Sequence, residues 1–302
     1  MPRQDRGVNW DDYRFLLAVA RKGTVSAAAQ DLRVDHATVI RRIDRLEKEL
    51  GVVLFSRRPT GYELTAAGTK ALSLADRVES AILSGHSSLG ELSDRPSGTV
   101  RIGAPDGFGS YFLAPRLVPL IERFPELDVQ LVVTARVFSL AKREAELAVS
   151  LRPPEEGRLV SRKLTDYELR LYAAPSYLAR HDPIRSKADL AAHRFTGYIE
   201  ELLYAPELDY LPQVCDRNQV RMRSANLIAQ LQATVAGFGI AILPCFMAKW
   251  RRDLVPVLHD EFVLTRSFWL IKHEDSRDHP AVRACSSYIY ECIDANRGLF
   301  QG

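Results

Sequence analysis

The sequence is poor in the features that announce metal sites, disulfides or membranes. Its four cysteines, Cys215, Cys245, Cys285 and Cys292, stand far apart with no CxxC pair. Neither a zinc site nor a disulfide framework is expected, and the thiols read as buried and reduced. The seven histidines are scattered, with no HExxH pair, so metal ligation lacks a ligand set. No stretch approaches the ~18 consecutive apolar residues of a membrane span. The opening, MPRQDRGVNWDDYRF, lacks the apolar core of a secretion signal. A cytoplasmic protein with no membrane partner is expected. A strong charge excess is also missing: 41 Lys and Arg against 38 Asp and Glu leave +3. Whole-chain charge therefore neither demands nor excludes nucleic acid, and local charge has to decide. No GxSxG elbow, P-loop lysine or metal cluster organises the serines and histidines, so no catalytic residue and no cofactor is assigned.

What is present is an ordinary folded composition, 46% hydrophobic and 26% charged over 302 residues. That length fits two or three domains at roughly 100–200 residues each. The most informative segment is residues 24–68. Before it, Asp11 and Asp12 precede Phe15, Leu16, Val19 and Ala20 at helical spacing, and Lys22-Gly23 ends that helix. Thr24 caps a second helix, residues 25–32, whose Ala27, Ala28 and Ala29 permit close crossing by a neighbour. Asp35 caps a third, to about Leu50, stopped by Gly51.

In that third helix Val39, Ile43, Leu46 and Leu50 form one apolar stripe. The opposite face carries Ala37, Arg41, Asp44 and Lys48, with Thr38 and Arg45 on its shoulder. A helix pinned on one side and presenting guanidinium groups on the other suits a DNA major groove, because arginine donates two hydrogen bonds to guanine or binds phosphate. A solvated surface helix is the alternative for this segment alone; the helix-turn-helix context counts against it. Residues 52–55 read as a strand, 57–61 (Arg-Arg-Pro-Thr-Gly) as a turn and 62–64 as the return strand of a wing. Its arginines can reach phosphate or a minor groove. The candidate DNA contacts are Ser26, Asp35, His36, Ala37, Thr38, Arg41, Arg42, Arg45, Arg57, Arg58 and Thr60.

Thr65 caps a long helix from residue 66 to about 92. Gly68, Ala71, Ala75, Val78, Ile82, Gly85, Leu89 and Leu92 alternate three and four apart along it, a heptad seam. Packing of this helix against its own chain is the alternative to a partner helix. A polar, turn-rich linker, residues 93–98, follows. Two paired readers would ask for a two-part, pseudo-palindromic site.

From residue 98 the pattern becomes α/β. Strands are expected at 99–104, 128–133, 146–151, 168–173, 194–199, 219–223, 239–243 and 267–271, with helices between many of them and a largely parallel sheet. About 205 residues fit two lobes. Loops at the carboxyl ends of such strands bind ligands. The first, residues 105–110, offers Asp106, Gly107, Phe108 and Ser110, ahead of a helix N-terminus that favours an anion; Asp106 itself would repel one. The second offers Ser224 and Asn226, and Thr134 and Tyr198 supply further walls. A plain helix cap is the alternative for the Asp106 and Ser224 loops. Gly237-Phe238-Gly239 precedes its strand, so it reads as a helix-to-strand turn and not as a dinucleotide site.

Several of these segments together resemble the LysR-type transcriptional regulators. They are the alanine-rich helix after Gly23-Thr24, IDRLEKELG at 43–51, LFSR at 54–57, LTAAG at 64–68 and GFGIAILP at 237–244. Ile40 departs from the pattern, standing where the family often has serine. It lies at the edge of the apolar stripe, either packing inward or offering a methyl contact in the groove. The resemblance implies a multidomain protein: a winged helix-turn-helix domain at 8–65 (helix-turn-helix 25–44), a linker and dimerisation helix at 66–93, and an effector-binding domain at 94–302. The last would be a two-lobed α/β fold like the periplasmic binding proteins, with lobe I at about 98–161 and 267–302 and lobe II at about 162–266. The two crossing strands are expected near 161–166 and near Thr265. The resemblance also implies double-stranded DNA with an interrupted palindrome as partner, a homodimer pairing further into a homotetramer, and a small-molecule effector. Two other functions are alternatives. An enzyme on the α/β half would not need Arg41 or Arg45, and a non-specific architectural DNA binder would not need so large a second domain.

Overall fold

The computed structural model describes residues 9–58, 61–90, 95–135, 145–154, 158–276 and 279–302, without the side chains at 58, 77, 80, 81, 83–90 and 275. It divides into two compact units, Met1–Leu92 and Ser93–Gly302.

In the first unit α1 (Trp10–Lys22) begins at Asn9, whose side chain accepts from the Asp11 amide, and ends at Gly23. α2 (Val25–Leu32) is capped by Thr24 and α3 (His36–Leu50) by Asp35, with Gly51 closing α3. The caps expected at Thr24, Asp35 and Gly51 are the ones found. The two acids expected to open α1 lie just inside it, behind Asn9. Val39, Ile43 and Leu46 are buried beside Leu16, Val19, Ala28 and Leu54 in one core. Leu50, expected on the same stripe, is 40% exposed. It stands at the last residue of α3, beyond the part covered by α1 and α2.

β1 (Phe55–Arg58) pairs antiparallel with β2 (Gly61–Leu64). The first strand starts at Phe55, where residues 52–55 were expected. Glu47 Oε1 accepts from the Leu54 amide at 2.7 Å and the Phe55 amide at 3.2 Å, tying this stretch to α3 while Val52 and Val53 stay exposed. α4 (Ala66–Gly90) starts at Thr65, whose Oγ1 accepts from the Gly68 amide at 3.0 Å. Gly68 is where α4 meets the wing: a Cβ there would stand 2.0 Å from the Leu54 carbonyl oxygen.

The second unit is built on a seven-stranded sheet, ordered β10-β6-β11-β5-β3-β4 with β9 also on β6. Its chain order is β3 (Gly98–Ala104), α5 (Ala114–Arg123), β4 (Leu127–Val133), β5 (Leu147–Ser150), β6 (Leu159–Ala173), α6 (Pro175–Leu178), β7 (Phe195–Gly197), β8 (Val220–Arg223), α7 (Leu227–Val235), β9 (Ala241–Pro244), α8 (Cys245–Ala248), β10 (Val255–Val257), β11 (Leu264–His273) and α9 (Pro280–Ala295). β3 is parallel to β4 and β5, and β7 to β8. The remaining pairs, β6 with β9, β10 and β11, and β11 with β5, are antiparallel. The sheet is thus mixed, where a largely parallel one was expected. The reason is β6, fifteen residues long, whose start pairs with β11 and whose end pairs with β9 and β10. β6 and β11 join a β3–β4–β5 half to a β7–β8–β9 half. Gly239 lies in the turn between α7 and β9, where a Cβ would stand 2.4 Å from the Arg194 carbonyl oxygen.

Candidate nucleic-acid interface and ligand site

The outward face of α3 is what its spacing predicts: Ala37, Arg41, Asp44 and Lys48 are all exposed, as is His36. Ile40 is half-buried and packs on the core. At the start of α3 the Asp35 carboxylate is occupied by capping, accepting from the Thr38 amide at 2.7 Å and the Thr38 hydroxyl at 2.8 Å. Those bonds hold the Asp35 carboxyl below its usual range. Arg41 donates to Thr38 Oγ1 at 3.3 Å.

The other arginines are tied to carboxylates of the protein itself. Asp12 on α1 has no exposed surface. Its carboxylate receives Arg42 Nη1 at 3.0 Å, Arg45 Nε at 2.5 Å and also Arg45 Nη2. Arg42 further bridges to Asp11 at 3.1 Å and lies over the Phe15 ring. Arg42 and Arg45 therefore fix α3 on α1. Sequence reading missed Asp12 because a doublet of acids near a helix start looks like dipole compensation; only the partner arginines, 30 and 33 residues on, reveal the anchor. On the wing, Arg57 donates to Asp44 of α3 at 2.5 Å and stacks over Tyr62. Ser26 is exposed on α2. Arg58 lies on β1 with its side chain outside the description, and Thr60 lies outside the described residues.

The heptad seam meets its own chain first. Ala71 and Ala75 are buried in the core of the first unit, and Arg21 of α1 binds Asp76 at 2.9 Å and Glu79 at 2.6 Å on α4. The start of the seam, at Gly68, Ala71 and Ala75, thus packs on its own unit. Leu74 and Ile82 on the same helix are exposed, Ile82 by 42%. Leu92 lies outside the described residues, and so do the side chains of positions 85 and 89.

In the second unit the candidate ligand contacts separate. Phe108 is a correction: it is core, in ring contact with Phe112, Phe268 and Phe246. The helix expected from 113 is preceded by a π-helical turn, Phe108–Leu113, that rotates this ring inward. Asp106 is 3% exposed, and its carboxylate accepts from the Gly107 amide at 2.9 Å and the Leu227 amide at 2.5 Å. Burial pushes the Asp106 carboxyl up, and the backbone bonds oppose that. Asn226 caps α7 through the Ala229 amide, and Ser224 Oγ accepts from the Asn226 amide at 3.1 Å. Ser110 is exposed and Thr134 half-buried. Tyr198 is 6% exposed and meets Tyr210 edge-on at 6.1 Å. Buried Tyr210, hydrogen-bonded to Tyr198, and half-buried Tyr204, which sequence reading did not single out, join it in a phenol cluster within the electrostatic reach of Asp106. The signal was the density of tyrosines between 198 and 210.

A pocket of about 160 Å³ lies beside this cluster, lined by Tyr198, Leu203, Leu208, Leu211, Cys215 and Val220. An ion pair of Glu200 and Arg217, at 2.8 Å, borders it. Burial pushes the Cys215 thiol up to about 11, so it is not a nucleophile near neutrality. Among the described residues no cluster of three metal-ligating side chains occurs, and no helix is long and apolar enough to cross a membrane.

Comparison with known proteins bears on both units. Residues 10–69 match the family model of bacterial regulatory helix-turn-helix proteins of the lysR family, and residues 93–291 match that of the LysR substrate binding domain. The chain is 30% identical to the mau operon transcriptional activator of Paracoccus denitrificans over 95% of its length and 96% of that protein. It is 31% identical to the regulator DmlR of Escherichia coli over 60% of its length and 59% of that protein. The structure of CrgA, a LysR-type regulator from Neisseria meningitidis, superposes with a TM-score of 0.59 at 22% identity, covering 94% of this chain and 99% of that one. ArgP from Mycobacterium tuberculosis superposes with a TM-score of 0.69 at 18% identity, covering 98% and 100%.

Proposed function

The chain belongs to the LysR family of transcriptional regulators, and from that premise we propose that it grips an interrupted palindromic promoter site as a homodimer. It is a DNA-binding regulator with a small-molecule effector domain. The observation that carries the finer reading is the exposed row of α3, with Arg41 at its centre and Arg57 of the wing beside it, bound to Asp44. His36, Ala37, Thr38 and Arg41 are the base contacts, and Arg57, Arg58, Thr60 and Ser26 the phosphate contacts. Arg42, Arg45 and Asp35 act by positioning the helix. Dimerisation uses the exposed far part of the α4 seam, which Ile82 marks, with further pairing into a tetramer and a cytoplasmic location.

The effector acts between the two halves of the second unit, near Ser110, Thr134, Ser224 and Asn226. It shifts the regulator only by its preference for one arrangement over another. The test is an electrophoretic mobility shift with DNA upstream of the protein's own and neighbouring genes. Sequence-specific retardation that survives competitor DNA is expected; salt-sensitive retardation without preference would replace this reading with the architectural one.

A further inference from the structure

Asp44 has no evident place in the row assigned to DNA. It stands on the outward face of α3 between Arg41 and Lys48, exposed like them. Phosphates and the acceptor-rich edge of guanine repel a carboxylate there. Two other acids around α3 are taken up by backbone: Asp35 caps the helix and Glu47 binds the Leu54 and Phe55 amides. Asp44 instead reaches the wing. Its carboxylate accepts from Arg57 Nη2 at 2.5 Å, and the same guanidinium lies 5.8 Å from the centre of the Tyr62 ring. Tyr62 is itself fixed, because its amide donates to the Gly23 carbonyl at 3.0 Å and its ring meets Phe55 edge-on. Arg57 is thus held at one point beside the groove-facing helix, with its charge offset by the adjacent carboxylate. The bond uses Nη2, so other N–H donors of the guanidinium stay available.

Both side chains are half exposed, and an ion pair in that setting adds little to stability. Its effect falls on binding. Non-specific affinity follows the number of phosphates that cations neutralise, and a paired arginine counts for less there than a free one. At the right site the fixed guanidinium can still donate to a phosphate placed to receive it, with less ordering left to do. We infer that Asp44 is a specificity-determining residue that acts through Arg57: it aims the wing arginine and withholds its charge from DNA of arbitrary sequence. This rests on the reading of Arg57 as a phosphate contact given above.

The experiment is fluorescence anisotropy of the full chain on a random-sequence duplex and on the DNA upstream of its own gene, across a range of salt. On the random duplex, Asp44→Asn steepens the fall of log K with log salt by about 0.9, the value for one phosphate. Its preference for the upstream DNA over the random duplex drops several-fold, and its Tm stays almost unmoved. In the Arg57→Ala background the same change leaves the slope where it was. An unmoved slope for Asp44→Asn in the otherwise wild-type chain overturns the inference. Equal steepening in both backgrounds overturns it as well, because Asp44 would then be a source of repulsion alone. Failure of the wing contact would appear separately, as Arg57→Ala binding the upstream DNA as tightly as the wild type does.

Discussion

Asp12 divides the arginines of α3 into two kinds. Arg42 and Arg45 meet its buried carboxylate, while Arg41 touches only Thr38 among the described contacts. Their alanine variants should therefore fail differently. Arg41→Ala should weaken operator binding by about 1–3 kcal/mol, the worth of one base-reading arginine, and leave the Tm almost unmoved. Arg45→Ala should lower the Tm, with its loss of binding recovered at lower temperature. Equal retention of binding and loss of Tm in both variants would erase the distinction. Asp35 gives a pH prediction. Its carboxyl is held below the usual range by the Thr38 amide and hydroxyl. A group whose folded pKa is depressed adds stability that is fully present above its unfolded value and is lost as pH falls through the folded one. The wild type should thus lose more stability than Asp35→Asn on acidification below about pH 4, measured by urea unfolding; parallel curves would contradict this.

Among the elements, the wing depends on Gly68, where α4 passes close to the Leu54 carbonyl. Gly68→Ala should destabilise the first unit by about 1–3 kcal/mol, the cost of forcing a methyl into a packed contact. Gly51→Asn, at an open position that closes α3, should cost far less. Thermal unfolding of both variants decides it. The same contrast explains what could be read in advance. The caps at Thr24, Asp35 and Gly51 and the buried Val39, Ile43 and Leu46 depend on neighbours within a few residues, so periodicity and capping chemistry located them. The start of β1 was displaced because it depends on Glu47 reaching Leu54. The antiparallel run of β6 against β11 joins residues about a hundred positions apart, and no local pattern encodes it. Phe108 looked like a cleft residue because its glycine neighbours suggest a ligand loop; the π-helical turn that swings it into the phenylalanine cluster is a tertiary choice. The tyrosines at 204 and 210 lie among short 3₁₀ turns, where no periodicity marks which side is inward.

For the whole molecule, the question is how one reader becomes two. Near its start α4 packs Ala71 and Ala75 on its own unit, while Ile82, roughly three turns on from Ala71 along the same face, is exposed. Ile82→Asp should therefore shift sedimentation toward monomer and reduce operator affinity at least tenfold, while the mobility of single-site complexes on half-operator DNA persists. A dimer unaffected by this change would place the contact elsewhere. Arg21 adds a mechanical consequence. Its guanidinium bolts α1 to Asp76 and Glu79, roughly three turns along α4, while Asp12 bolts α1 to α3. Force applied along α4 has no slack joint to dissipate in. Torque applied to α4 is therefore expected to reach α3 as a turn of the groove-facing helix, with little lost on the way.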